Sequence, residues 1–207
     1  MRGVVSAVVA GAVWGAFCGV GNGWSVVSTL AQMAVPWLWI AAIVGYRCAD
    51  GARHAAQIGV ATLVSANVAY FAVGAIARLL SGEAPIGGVR FLVVWTSVGL
   101  VVGPAAGMIG RWLTAERTSL PAAAALAAAS IAEPLALWAH IDHLDAHLTY
   151  LVVAAVGITI PVIRLRAAPR RSLRATAVAL AVGYPAAVII EVALVALGQI
   201  SAPIRLA

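Results

Sequence analysis

Residues 89–112 read VRFLVVWTSVGLVVGPAAGMIGRW, a run of 24 positions charged only at Arg90 and Arg111, near its two ends. At ~1.5 Å per helical residue this run reaches about 36 Å, enough to cross the ~30 Å hydrocarbon layer of a bilayer. A water-soluble helix of that length carries a polar stripe; this one has none. The run is also continuous and rich in small residues, whereas a membrane barrel needs alternating segments of about ten residues.

Working outward, the same pattern recurs six more times, at about Gly3–Val20, Val35–Arg47, Ala52–Ile76, Leu120–Trp138, Leu148–Ile163 and Leu173–Leu197. The segment from Gly23 to Met33 is mildly polar and is expected to form either a re-entrant helix or part of the second span. Of the 207 residues, 63% are hydrophobic and 10% charged, with a mean hydropathy of +1.02. Soluble domains hold about 25% charged residues, so a soluble enzyme or a nucleic-acid reader does not fit. The expected fold is an all-α, polytopic transmembrane bundle of about seven spans in one domain, residues 1–207.

All thirteen basic residues are Arg. With the N-terminus cytoplasmic, alternation puts Arg2, Arg47, Arg53, Arg111, Arg117, Arg164, Arg166, Arg170, Arg171 and Arg174 inside, and only Arg78, Arg90 and Arg205 outside. Cytoplasmic loops carry the excess of basic residues, so the expected topology is N-terminus in, C-terminus out, in the plasma membrane. The cluster from Arg164 to Arg174 reads as a topology determinant that attracts anionic lipid heads, and nucleic acid is not expected as a partner. Met1-Arg2 before an apolar run resembles an export signal, but that run reaches Val20 with no polar region behind it, which favours an uncleaved first helix. Cys18 falls near the outer end of the first helix and Cys48 near the inner end of the second, on opposite faces of the membrane, and they are not expected to pair.

Lipid supplies no hydrophobic drive for helices to associate, so close packing depends on small residues. Gly99, Gly103 and Gly107 share one face of their run, and Gly11, Gly15 and Gly19 share one face of the first. Such faces serve packing within the bundle, or docking of another membrane protein or a second protomer. Pro104, Pro134 and Pro185 interrupt apolar runs, where a proline bends the axis and frees a carbonyl.

Chemistry is expected where lipid should not permit polarity. Glu133 and Glu191 each lie about six positions from the outer end of a span. An acid in the hydrocarbon costs roughly 2.5–3.5 kcal/mol on insertion scales and normally faces the bundle interior or water. Asn67 and Tyr70 fall at a similar level, as do Trp14, Trp37 and Trp95. Together they outline an outward-opening pocket: carboxylates as acceptors or counter-ions, Asn67 and Tyr70 as hydrogen-bond groups, tryptophans as walls. The competing reading makes each Glu a neutral, backbone-bonded group and the tryptophans part of an interfacial belt.

His140, His143 and His147 share a helical face in the fifth connection, with Asp142 and Asp145 nearby. That arrangement would hold a metal or form a plain polar turn; no other cofactor is expected. Phosphate-binding Gly loops with a Lys, Ser/His/Asp sets and catalytic Cys contexts are lacking, so the chain is not expected to be an enzyme.

Pro36-Trp37 through Gly45, Asn67 to Tyr70, Gly103-Pro104 through Gly107, Gly110-Arg111-Trp112 and Ala132-Glu133-Pro134 resemble a domain-of-unknown-function family of small multi-pass membrane proteins from actinobacteria. That likeness covers most of the chain, leaves out the histidine turn, and implies class and location. A fainter similarity, to the substrate-binding subunits of energy-coupling-factor vitamin transporters, implies an outward cavity. It also implies that Gly11, Ala12, Gly15 and Ala16 meet a coupling subunit. The resulting expectation is a transporter component or sensor that binds a small solute or ion. The alternatives are a structural subunit docking through its glycine faces and, third, a metal-dependent membrane enzyme.

Overall fold

The computed structural model describes residues 2–84, 88–114, 119–138 and 144–165, together with helical positions scattered between 174 and 188. Two compact units divide the chain, Met1–Ala115 and Glu116–Ala207. The first holds α1 (Arg2–Val20), a 3-10 turn at Gly21–Gly23, α2 (Ser25–Gln32), α3 (Ala34–Cys48), α4 (Ala52–Leu80) and α5 (Val89–Trp112). In the second lie α6 (Ser119–Leu137) and α7 (Leu144–Leu165). Most of the expected seventh span, 173–197, lies outside the described residues.

Among the described residues, four helices are long and apolar enough to cross a membrane: α1 with its 3-10 turn, α4, α5 and α6. A fifth crossing is made if α2 and α3, bent by 74° at Met33, count as one broken span. The surface has the polarity pattern of a membrane protein. Val13 and Val101 are 65% and 77% exposed, whereas Gly11, Gly15, Ala55 and Gly103 are buried. Large apolar side chains outside and small ones inside suit a bilayer, where close backbone approach holds helices together.

Glycines set the register of the first unit. A Cβ on Gly11 would fall on the Thr62 carbonyl, and one on Gly15 on the Ala66 carbonyl. Each four-residue step along α1 is thus matched by one along α4, in the same direction. Gly103 and Gly107 of α5 meet α4 at Val60 and Ala55, stepping the other way, so these two helices run antiparallel. Gly107 also meets Gly45 of α3, and Gly110 meets Ala42. The face of α1 that the vitamin-transporter likeness assigns to a coupling subunit is therefore packed on α4 at Gly11 and Gly15. Their stripe allows close approach, and a helix of the same chain takes it.

The long helix α4 ends where Gly82 adopts φ +77°. Its N–H donates to the Leu79 carbonyl and that of Glu83 to the Arg78 carbonyl, which satisfies two acceptors the helix end would otherwise leave open. In the second unit, Gly157 of α7 lies against Ser130 of α6. The Ser130 hydroxyl is turned back onto the Leu126 carbonyl at 2.7 Å.

Candidate functional site

Five of the seven expected pocket residues belong to the first unit: Trp14, Trp37 and Tyr70 share one cluster, and Asn67 reaches the Trp95 backbone. Trp37 is buried with Cys18, Ala41, Leu63, Ala66 and Ala106, and Trp14 and Tyr70 pack against that cluster. The rings of Trp37 and Tyr70 meet edge to face at 5.8 Å. Asn67, 8% exposed, donates from Nδ2 to the Leu63 carbonyl at 3.0 Å and to the Trp95 carbonyl at 3.2 Å. Its amide therefore ties α4 to α5 beside Gly99, where an added Cβ would come within 3.3 Å of the Leu63 side chain. The Tyr70 hydroxyl donates to Asn22 Oδ1 at 3.4 Å, joining α4 to the 3-10 turn.

These contacts change the character of the group. Two of the intended ligand groups, Asn67 and Trp37, are held by the protein itself: the Trp37 indole N–H donates to the Ala31 carbonyl at 3.2 Å. Ala31 lies in the last turn of α2, where carbonyls lack helical partners, so Trp37 ties down the broken end across the Met33 bend. Met33 is 1% exposed, consistent with irregular backbone in a bilayer being tolerated where protein covers it.

Two polar atoms of the first unit behave differently. Trp14 Nε1 and Thr96 Oγ1 are buried without a hydrogen-bond partner among the described residues. Most helical hydroxyls here bond back one turn: Thr62 to Ile58, Ser97 to Val93 and Thr159 to Ala155 are examples. The Thr96 hydroxyl does not. Thr96 precedes Gly99 by three residues and so shares the face of α5 that meets Asn67. Sequence reading passed over Thr96 and Asn22. For Asn22 a signal existed, a polar residue between Gly21 and Gly23 at the end of an apolar run.

The carboxylates are placed differently. Glu133 is a half-buried residue of α6, in the second unit, and Glu191 lies outside the described residues. His140 and His143 lie outside them too. His147 stacks on Trp138 with ring centroids 4.1 Å apart, and its Nε2 lies 3.3 Å from the Trp138 carbonyl. Among the described residues no three His, Cys, Asp or Glu side chains cluster as metal ligands. Cys18 and Cys48 are free thiols.

Two grooves run along the first unit. One, of about 450 Å³, lies between α1 and α3 and includes Trp14, Phe17 and Ile43. The other, of about 680 Å³, follows α4 from Arg53 to Val68. Chemically, the first unit offers a polar seam that runs from the buried Asn67 amide to the exposed Tyr70–Asn22 bond beside aromatic rings, with the Thr96 hydroxyl on the helix facing Asn67 and open apolar grooves on the surface.

No curated protein and no solved structure matches the chain. The model of the family described as "Family of unknown function (DUF6518)" matches residues 1–198, and the chain belongs to that family.

Proposed function

We propose that the chain is a plasma-membrane protein of seven spans, N-terminus in and C-terminus out. In this reading it holds a small solute or ion in the outer half of its first unit, as a transporter component or sensor. The observation that carries the reading is the buried Thr96 hydroxyl, which lacks a partner among the described residues. An unsatisfied buried polar group costs about 1–3 kcal/mol, and a ligand oxygen or ion at that position would offset the cost. Asn67 and the Trp95 carbonyl belong to the same α4–α5 contact; in this reading Tyr70, Trp14 and Trp37 complete the site from the neighbouring aromatic cluster, and the α2–α3 break is the element that opens it. Glu133 and Glu191 enter the reading as counter-ions on sequence grounds alone.

The test is an isosteric exchange, Thr96→Val, which removes the hydroxyl and keeps the shape. Purified protein is melted in the presence of amino acids, sugars, nucleosides and monovalent cations in turn. We expect one class to stabilise the wild type. Thr96→Val should melt at the same or a higher temperature without ligand and bind that class at least tenfold more weakly. A wild type that responds to none of these classes, or a variant that binds equally well, overturns the reading.

A further inference from the structure

The groove along α4 lies outside the polar seam and points to a second ligand. Its floor is apolar, with Val60 and Val64, and its rims are Val8 of α1, Val68 of α4 and Leu100 of α5, exposed by 44%, 48% and 53%. One end is different: Arg53, in the first turn of α4, closes the groove, and Gln57 stands one turn further along. Among the described residues no carboxylate pairs with Arg53. The nearest acid in sequence, Asp50, sits 3.6 Å from His54 Nδ1 instead.

From Arg53 to Val68 the groove follows roughly 22 Å of helix. One leaflet of hydrocarbon is about 15 Å deep. The groove is therefore long enough to run from the level of the lipid heads past the middle of the bilayer, with Arg53, the one cation among its described lining residues, at the head end. Basic groups beside grooves between membrane helices recognise acidic lipid heads, and the exposed N–H groups of a helix start add to the attraction. We infer that this groove seats one acyl chain of an anionic glycerophospholipid, with the phosphate at Arg53. Floor and rims supply the apolar contact, and Arg53 supplies the preference for acidic lipid over zwitterionic.

The experiment uses the full chain, delipidated in mild detergent and titrated with phosphatidylglycerol or phosphatidylcholine of identical acyl chains, with bound lipid read by native mass spectrometry. Wild type is expected to retain one phosphatidylglycerol in preference to phosphatidylcholine. Arg53→Gln should weaken phosphatidylglycerol about fivefold, the worth of one basic residue at a lipid surface, and leave phosphatidylcholine unchanged. Arg53→Lys should keep most of the preference. Ala61, between Val60 and Val64, also lines the groove, and Ala61→Phe, which fills it, should lower both lipids at least tenfold. Val68→Trp on the exposed rim gives the same reading if Ala61→Phe does not fold, as judged by circular dichroism. Equal retention of the two lipids by wild type, an unchanged ratio in Arg53→Gln, or undiminished binding in the filled variants overturns the inference. So does a dimer that only the filled variants dissolve, since a second copy would then be the occupant.

Discussion

Gly15 and Gly74 are both helical and both lie in apolar sequence, yet their surroundings differ completely. A Cβ on Gly15 would land on the Ala66 backbone carbonyl, which cannot swing aside, whereas Gly74 has nothing within 4 Å. Gly15→Ala should therefore cost about 3 kcal/mol, at the upper end of overpacking penalties. Gly74→Ala should be neutral or stabilising by up to ~1 kcal/mol through helix propensity. Reversible unfolding in mixed micelles checks the pair, and equal effects would contradict the seam. The stripe Gly99, Gly103, Gly107 was legible in the sequence because its spacing is regular. Its counterpart was not: Gly59, which lies on Gly103, and Gly45, which lies on Gly107, stand singly, and a contact joins two surfaces of which a regular stripe reveals one. Thr96 was illegible for another reason. A threonine in a membrane helix ordinarily bonds its own backbone, and the sequence carries no sign that this one does not.

Between Gly21 and Cys48 the chain makes its least regular passage, and one side chain bridges the break. The Trp37 indole reaches back six residues to the Ala31 carbonyl, and its ring meets Tyr70. Trp37→Phe keeps an aromatic body for the Tyr70 contact but leaves that carbonyl without its donor. We expect a loss of about 1–3 kcal/mol, the cost of a buried acceptor left open. Faster amide exchange confined to residues 31–37 should accompany it. An unchanged exchange pattern would mean that packing around Met33 alone holds the bend. Why the sequence left this passage open follows from its composition: the stretch from Gly23 to Met33 mixes Ser, Thr and Gln with Val and Leu, so neither a lipid-facing face nor a soluble one is complete. The bounds of α5, by contrast, follow from a run closed by Gly88 on one side and by Arg111-Trp112 on the other.

The distribution of Arg bears on membrane orientation, and the fold of the first unit adds to it which helix ends lie side by side. A Cβ on Gly3 would approach both the Cys48 carbonyl and the His54 ring at 3.0 Å, so the start of α1, the end of α3 and the start of α4 share one end. The antiparallel register of α4 and α5 brings Arg111 to that same end. Arg2, Arg47, Arg53 and Arg111 therefore stand together, while Arg78 and Arg90 lie at the other end of the unit. An excess of basic residues marks the cytoplasmic side. The clustering of these four Arg at one end is a property of the packed helices and does not depend on the span count in the second unit. Single cysteines at Asp50, Glu83 and Thr114, placed in a variant lacking Cys18 and Cys48, test it directly. A membrane-impermeant maleimide applied to intact cells should label Glu83→Cys. Asp50→Cys and Thr114→Cys should react only after permeabilisation. Labelling of Asp50→Cys from outside would invert the orientation, and with it the side from which a solute could reach Thr96.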